Sequence, residues 1–227
     1  FINDSSIQMR WIEAGQELGE PDVLIIPGSK QTIKDLEILN KTGLSNQIKD
    51  YAKKGGNIFG ICGGLQMLGE SLEDPHKKES INELSTFSYM GMNLLPIKTT
   101  FGEIKNTSQI EESVSWPSFQ KVKGFEMHYG KSDLISNKNP DIVSLFKNSS
   151  LGWVLKRKDK SFIGGTYLHG IFENDEWRRQ WINKIRQNKG LKKVNAHEEK
   201  NHDKREKLLD LLTDAFERNI NIDNLIK

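Results

Sequence analysis

The chain has very little cysteine: one residue in 227, so no disulfide can form within it, and a reducing, cytoplasmic setting is expected. No apolar run approaches the roughly 18 residues of a membrane-spanning helix. The opening residues, FINDSSIQMRWIE, lack a charged start followed by an apolar stretch, so no secretory leader is expected in them. Residue 1 is Phe, and the chain reads as a fragment or a processed product. The formal net charge of +2 makes no case for nucleic acid. No G-x-x-x-x-G-K-S/T loop is present to hold ATP phosphates, and the single Cys and scattered His residues give no metal-ligand spacing.

What is present fits a globular protein with a real core: 35% hydrophobic and 28% charged residues. The first half alternates strand-like and helix-like segments. Residues 7–13 alternate loosely, as a strand does. Residues 22–27 (DVLIIP) read as a strand buried on both faces of a parallel sheet. Ser29 and Thr32 are candidate N-caps for the next helix. Leu44, Ile48, Tyr51 and Ala52 share one face of a second helix, which Gly55-Gly56 ends. Residues 57–62 (NIFGIC) follow as another buried strand. Strand, helix, strand at these lengths predicts a βαβ unit and an α/β fold.

Further on, residues 71–86 read as a polar loop and 106–117 as polar and turn-rich, with strand-like stretches in 89–101 and 121–134. Residues 151–156 and 161–169 predict a hairpin that turns near 156–160. Residues 175–188 read as a helix with Trp177, Trp181 and Ile185 in line. From 178 to 193 there are seven basic residues and no acidic one, expected to form a solvated helix face or to dock a partner domain. Residues 192–207 read as a charged linker, and Leu208, Leu209, Leu212 and Phe216 as the apolar stripe of a last helix. The expected organisation is one domain over 1–190, with 191–227 a linker and a helix packing on it.

The strongest chemical signal is Gly60-Ile61-Cys62-Gly63-Gly64 between a strand and a helix. It is a G-x-nucleophile-x-G elbow with Cys in the place of Ser. Glycines permit the tight turn, which holds the nucleophile in a strained backbone conformation. The positive end of the following helix is expected to favour the thiolate. Pro27-Gly28-Ser29 lies at the C-terminal end of the preceding strand, where ligands sit in open α/β sheets. The N–H groups of Gly28 and Gly63 are the candidate oxyanion hole, each worth about 3 kcal/mol of barrier. A Cys nucleophile needs an acid/base partner. His169, which closes a late strand in TYLHG, is the best of five histidines. His128 is the alternative core or supporting histidine. Glu126 and Glu173 are the nearest candidates to orient His169.

Taken in order, PDVLIIPGSKQTIKDL, GGNIFGICGGLQMLGE, GFEMHYGKS and GGTYLHGIFEND resemble the amidotransferase half of the cobyric acid synthase family, a corrinoid-pathway branch of the class I, triad-type glutamine amidotransferases. The C-terminal stretch ending NIDNLIK is similar too. The resemblance implies a mostly parallel central sheet flanked by helices in a flavodoxin-like three-layer arrangement, with a further strand upstream of residue 1. It implies nucleophile and acid/base roles for Cys62 and His169, and a glutamine-holding role for Gln66. In this branch a third triad member is often not evident, and Thr100 stands where the family often has Arg. No cofactor is implied in this domain. ATP, Mg and adenosylcobyrinic acid a,c-diamide are implied on an N-terminal synthetase domain that receives the ammonia. A close relative acting on other carboxylates (cobyrinic acid a,c-diamide synthase or a cell-wall amidotransferase) is one alternative. A non-catalytic docking domain and a Cys-dependent peptidase on a similar fold are the others.

Overall fold

The apolar run VLII forms strand β1 (Val23–Ile26), as its composition predicts. A computed structural model describes residues 4, 6–79, 87–135, 139–147, 150–195 and 201–219. Helix α1 (Thr32–Lys41) follows β1 and helix α2 (Leu44–Lys53) follows α1. Neither Ser29 nor Thr32 is the N-cap. Gln31 holds that position, while Ser29 Oγ accepts from the Gln31 N–H at 2.9 Å and so braces the turn one step earlier. Leu44, Ile48, Tyr51 and Ala52 are all buried on α2. Gly55, at φ 87°, turns the chain out of that helix in a conformation that favours glycine.

Strand β2 (Asn57–Ile61) pairs parallel with β1, and helix α3 (Gly63–Leu68) starts almost at once. The next elements are β3 (Ser71–Glu73), β4 (Ser88–Met90), β5 (Ile97–Val114), β6 (Gln120–Leu134), β7 (Ile142–Ser144), β8 (Gly152–Lys156) and β9 (Phe162–Thr166). A five-stranded sheet runs β1-β2-β9-β8-β7. Its strands are parallel across β1-β2-β9, where the candidate site lies, and antiparallel across β9-β8-β7. The expected late hairpin is β8–β9.

Helices cover both faces of this sheet. A Cβ on Gly60 of β2 would lie 2.5 Å from the Gly64 backbone, which puts α3 on that face. The neighbouring residue Phe59 points the other way. It meets Trp177 and Trp181 of helix α4 (Asp175–Asn188) at ring-centroid distances of 5.9 Å. Phe162 of β9 meets Trp181 on the same side at 6.0 Å.

A second sheet, β4-β3-β5-β6, corrects two expectations. Residues 71–73 are a strand rather than loop, and residues 106–114 continue β5 in register with β6 rather than turning. Over Gly102–Gln109 nearly every β5 residue is exposed or partly exposed. With solvent on both sides of the ribbon, the polar run carries no period-two signal, and backbone ladder bonds to β6 define the strand instead.

Other departures are local. Residues 7–13 form no strand; the Arg10 side chain ties this loop to the carbonyls of Glu17 and Leu18. The basic run does not begin as a solvated face, because Arg178 and Arg179 are buried. Arg179 donates to Asp4 Oδ2 at 2.9 Å and Arg178 to the Phe172 carbonyl at 2.6 Å. Helix α5 (Asn201–Asn219) takes up part of the expected linker. Leu208, Leu209, Leu212 and Phe216 are exposed, so the stripe covers nothing among the described residues. NIDNLIK lies outside the described residues.

Candidate active site

The elbow forms where β2 ends. Cys62 has φ 50° and ψ −109°, a sparsely populated conformation for a residue with a Cβ. Its N–H donates to the Thr166 carbonyl on β9 at 2.8 Å, which anchors the strained residue to the next strand. The glycine after next is dictated by close approach: a Cβ on Gly64 would lie 2.2 Å from the Ile26 carbonyl oxygen of β1. The turn therefore presses against the end of the neighbouring strand.

Three separate motifs meet there. A methyl group placed on Gly28, just past β1, would lie 3.3 Å from His169 Cε1 and 3.7 Å from Cys62 Cβ. The thiol and the imidazole thus share one small cleft at the C-terminal edge of β1, β2 and β9. His169 is held through its backbone, which exchanges hydrogen bonds with Phe125 of β6 at 2.8 and 3.1 Å. Its ring stacks on the Phe125 ring at 5.1 Å and 9°. Buried His169 Nε2 has no hydrogen-bond partner among the described residues. The Gly63 N–H points at the Cys62 sulfur, and the thiol faces the Met127 carbonyl at 3.8 Å.

Burial sets the resting protonation of the pair. It pushes the Cys62 thiol up to about 11; Glu79 adds to the rise, while the Gly63 N–H and Lys105 oppose it. The start of α3 favours the thiolate as expected, through the Gly63 N–H, but six residues of helix do not outweigh the loss of water around the sulfur. Burial, and then the neighbouring His128, hold His169 below its ordinary value of 6.5. At neutral pH the pair is thiol and neutral imidazole, and the imidazole is free to accept the thiol proton.

Of the two candidate orienting carboxylates, Glu126 is engaged elsewhere. Glu126 faces His128 Nε2 at 3.2 Å and accepts from Ser108 Oγ at 2.8 Å, so it serves the other histidine. Residues i and i+2 share a strand face, and Glu126 and His128 do so on β6. Glu173 lies in the short 3-10 turn Ile171–Glu173 after His169, with its carboxyl carbon 3.9 Å from a Cβ position on Gly170. Stacking and backbone pairing to Phe125 hold the His169 ring.

Gln66 is buried rather than displayed on a helix surface. Its Oε1 accepts from Thr32 Oγ1 at 3.3 Å and its Nε2 donates to the Tyr167 hydroxyl at 3.2 Å. The network continues through Ser132 (2.6 Å from Tyr167) to Thr99 (2.7 Å from Ser132), and His128 stacks on Tyr167 at 4.0 Å. Both ends of the amide are in use, so Gln66 braces the wall behind the nucleophile. Thr100 is exposed and pairs with Lys131 across the β5–β6 ladder. The sequence reading missed the roof of the cleft (Phe125, Met127, Lys105) and Glu79. The motif GFEMHYGKS marked the roof strand but not what it covers.

A cysteine on a strained strand-to-helix turn, with a neutral imidazole three residues past the end of the adjoining parallel strand and the Gly63 N–H beside the sulfur, fits a thiol-dependent amide-cleaving site of the class I amidotransferase kind. The chain belongs to the family described as CobB/CobQ-like glutamine amidotransferase domain, which matches residues 3–177. It is 82% identical over its whole length to a cobyric acid synthase of Prochlorococcus marinus strain NATL2A, of which it spans 45%. It is 46% identical over 98% of its length to a cobyric acid synthase of strain MIT 9313, again spanning 45% of that protein. The chain thus covers less than half the length of these relatives. Its fold is similar to a crystal structure of a glutamine amidotransferase, with TM-score 0.55 and 12% identity, covering 82% of this chain and 88% of that one. No helix among the described residues is long and apolar enough to cross a membrane.

Proposed function

We propose that this chain is the glutaminase unit of a cobyric acid synthase, with Cys62 as nucleophile and His169 as its acid/base partner. One observation carries the reading: Cys62 Cβ and His169 Cε1 both lie within 3.7 Å of a single point above Gly28. His169 takes the thiol proton as the sulfur attacks the side-chain amide carbon of glutamine. The N–H groups of Gly28 and Gly63 stabilise the oxyanion that forms. His169 then gives the proton to the departing ammonia, leaving a glutamyl thioester. Water, losing a proton to His169, attacks the thioester carbon, and glutamate leaves as Cys62 regains its proton. Gln66 acts as a positioning residue, holding Thr32 and Tyr167 behind the reacting atoms.

The ammonia is consumed in ligation: an ATP-activated carboxylate of a corrinoid, adenosylcobyrinic acid a,c-diamide, accepts it. ATP, Mg and the corrinoid belong to a synthetase domain in the part of the relatives that this chain does not span. A free thiol nucleophile suits a reducing cytoplasm. A glutamine-analogue electrophile tests the reading. Modification of Cys62, seen as a mass increase on its peptide and blocked by glutamine, is the expected result. An unmodified thiol, or labelling that glutamine does not slow, overturns it.

A further inference from the structure

Two charged side chains outside the Cys62–His169 pair are near enough to act on the thiol, and they have opposite signs. The segment after β3 and the irregular stretch of β5 between Phe101 and Asn106 run side by side, since His76 Nδ1 lies 3.5 Å from Glu103 Oε1. The first carries Glu79 and the second Lys105.

Glu79 is fixed from several directions. Asp74 accepts from the N–H groups of Lys78 and Glu79 at 2.7 and 2.8 Å and so shapes the turn. The Glu79 carboxylate faces the N–H groups of Thr32 and Ile33 at the start of α1, which hold its acidity against burial. Thr32 Oγ1 in turn lies 3.0 Å from a Cβ position on Gly63, beside the nucleophile. Yet Glu79 Oε2 is buried and has no hydrogen-bond partner among the described residues. A buried carboxylate oxygen without a donor is costly, and such atoms call for an explanation. Lys105 is exposed, and its Nζ lies over the Tyr129 ring at 5.9 Å. Tyr129 is two residues from Met127, whose carbonyl faces the thiol.

We infer that Glu79 and Lys105 read the two ends of the free amino acid, Glu79 accepting from the α-ammonium and Lys105 pairing with the α-carboxylate while the side-chain amide reaches Cys62. This rests on the glutaminase reading above. The two groups act on the thiol with opposite sign, as groups near the sulfur must. Burial raises the Glu79 carboxyl, and Asp74 and Asp35 raise it further; an arriving ammonium would relieve this and supply the missing donor. An ion pair at each end also explains how a thiol site could choose a free amino acid over a glutamine side chain within a protein, where both α-groups are amides.

The test compares kcat/KM in the full chain for glutamine, for 4-aminobutanamide (no α-carboxylate) and for glutaramate (no α-ammonium). Neither analogue is larger than glutamine, so neither can clash. The unaltered protein should prefer glutamine to each by about 10- to 100-fold, as charge-assisted hydrogen bonds do. Lys105→Met should lose the preference over 4-aminobutanamide and keep that over glutaramate. Glu79→Gln, which retains an oxygen for the α1 N–H groups, should do the reverse. The losses should fall mainly on KM. A structural disturbance would lower all three substrates in proportion, and that result, or unchanged ratios, overturns the assignment while leaving the glutaminase reading intact. If the unaltered protein cleaves none of the three, the glutaminase reading falls and this inference with it.

Discussion

The floor and the roof of the cleft are built on different principles. The floor is the parallel part of the main sheet, β1-β2-β9, where glycine lets backbone approach backbone: a Cβ on Gly165 of β9 would lie 2.4 Å from the Gly60 carbonyl. The roof is the long β5–β6 ribbon, and its variable part is side chains, with Phe125 on His169, Glu126 on His128 and Lys105 over Tyr129. Backbone contacts leave no room for adjustment, so the floor fixes the reacting atoms. Side chains can change one at a time, so the roof is where protonation and, on the inference above, substrate choice can be tuned.

Breaking the floor should therefore cost far more than altering the roof. Cys62→Ala removes the nucleophile, and glutamine hydrolysis should fall by about 10⁴-fold or more. With the proposed synthetase domain supplied, amidation driven by added ammonia should survive; loss of both would contradict the proposed division of labour. His169→Ala should lower the glutaminase rate by about 10²- to 10⁴-fold. A near-normal rate would transfer the role to His128. Gly64→Ala drives a methyl into the Ile26 carbonyl and should destabilise the fold by about 3 kcal/mol, read as a drop in Tm.

Roof changes should be milder. Phe125→Ala removes the ring stacked on His169 and should cost about tenfold in kcat, with stability little changed, since Phe125 is 41% exposed. The smallest effect expected is on pH dependence. His169 is held below 6.5, so kcat/KM should stay level through neutrality and fall only on the acid side of the ordinary histidine range, as the base takes up a proton. With glutaramate, which has no α-ammonium to lose its proton, the alkaline fall should come near the thiol value of about 11. Lys105→Met removes an opposing cation and should move that limb upward; Glu79→Gln should move it downward. A profile insensitive to both would separate the roof charges from the thiol.

Much of this contrast was legible along the chain, and the reason lies in which contacts are local. The elbow at residues 60–64, the strands on either side of it, α2 with its buried face and α4 with its tryptophans follow from short-range periodicity and glycine placement. The β5 extension was not legible, because exposed ribbon residues show no alternation. Which group Glu126 faces was not legible, because its strand face, and not its place along the chain relative to His169, puts it on His128. The resting protonation of the thiol was not legible because burial is set by the roof, which the elbow motif does not contain.

By itself the sequence determined the strand–turn–helix that lifts Cys62, since glycine spacing and apolar runs act within a few residues of one another. It also marked His169 as the histidine that ends a strand. Only tertiary structure decided that Gly28, Cys62 and His169 meet, that burial keeps both groups neutral, and that Glu79 and Lys105 come near enough to act on the same thiol. Those facts depend on strand order and on water excluded by distant segments, and neither is written in any local pattern.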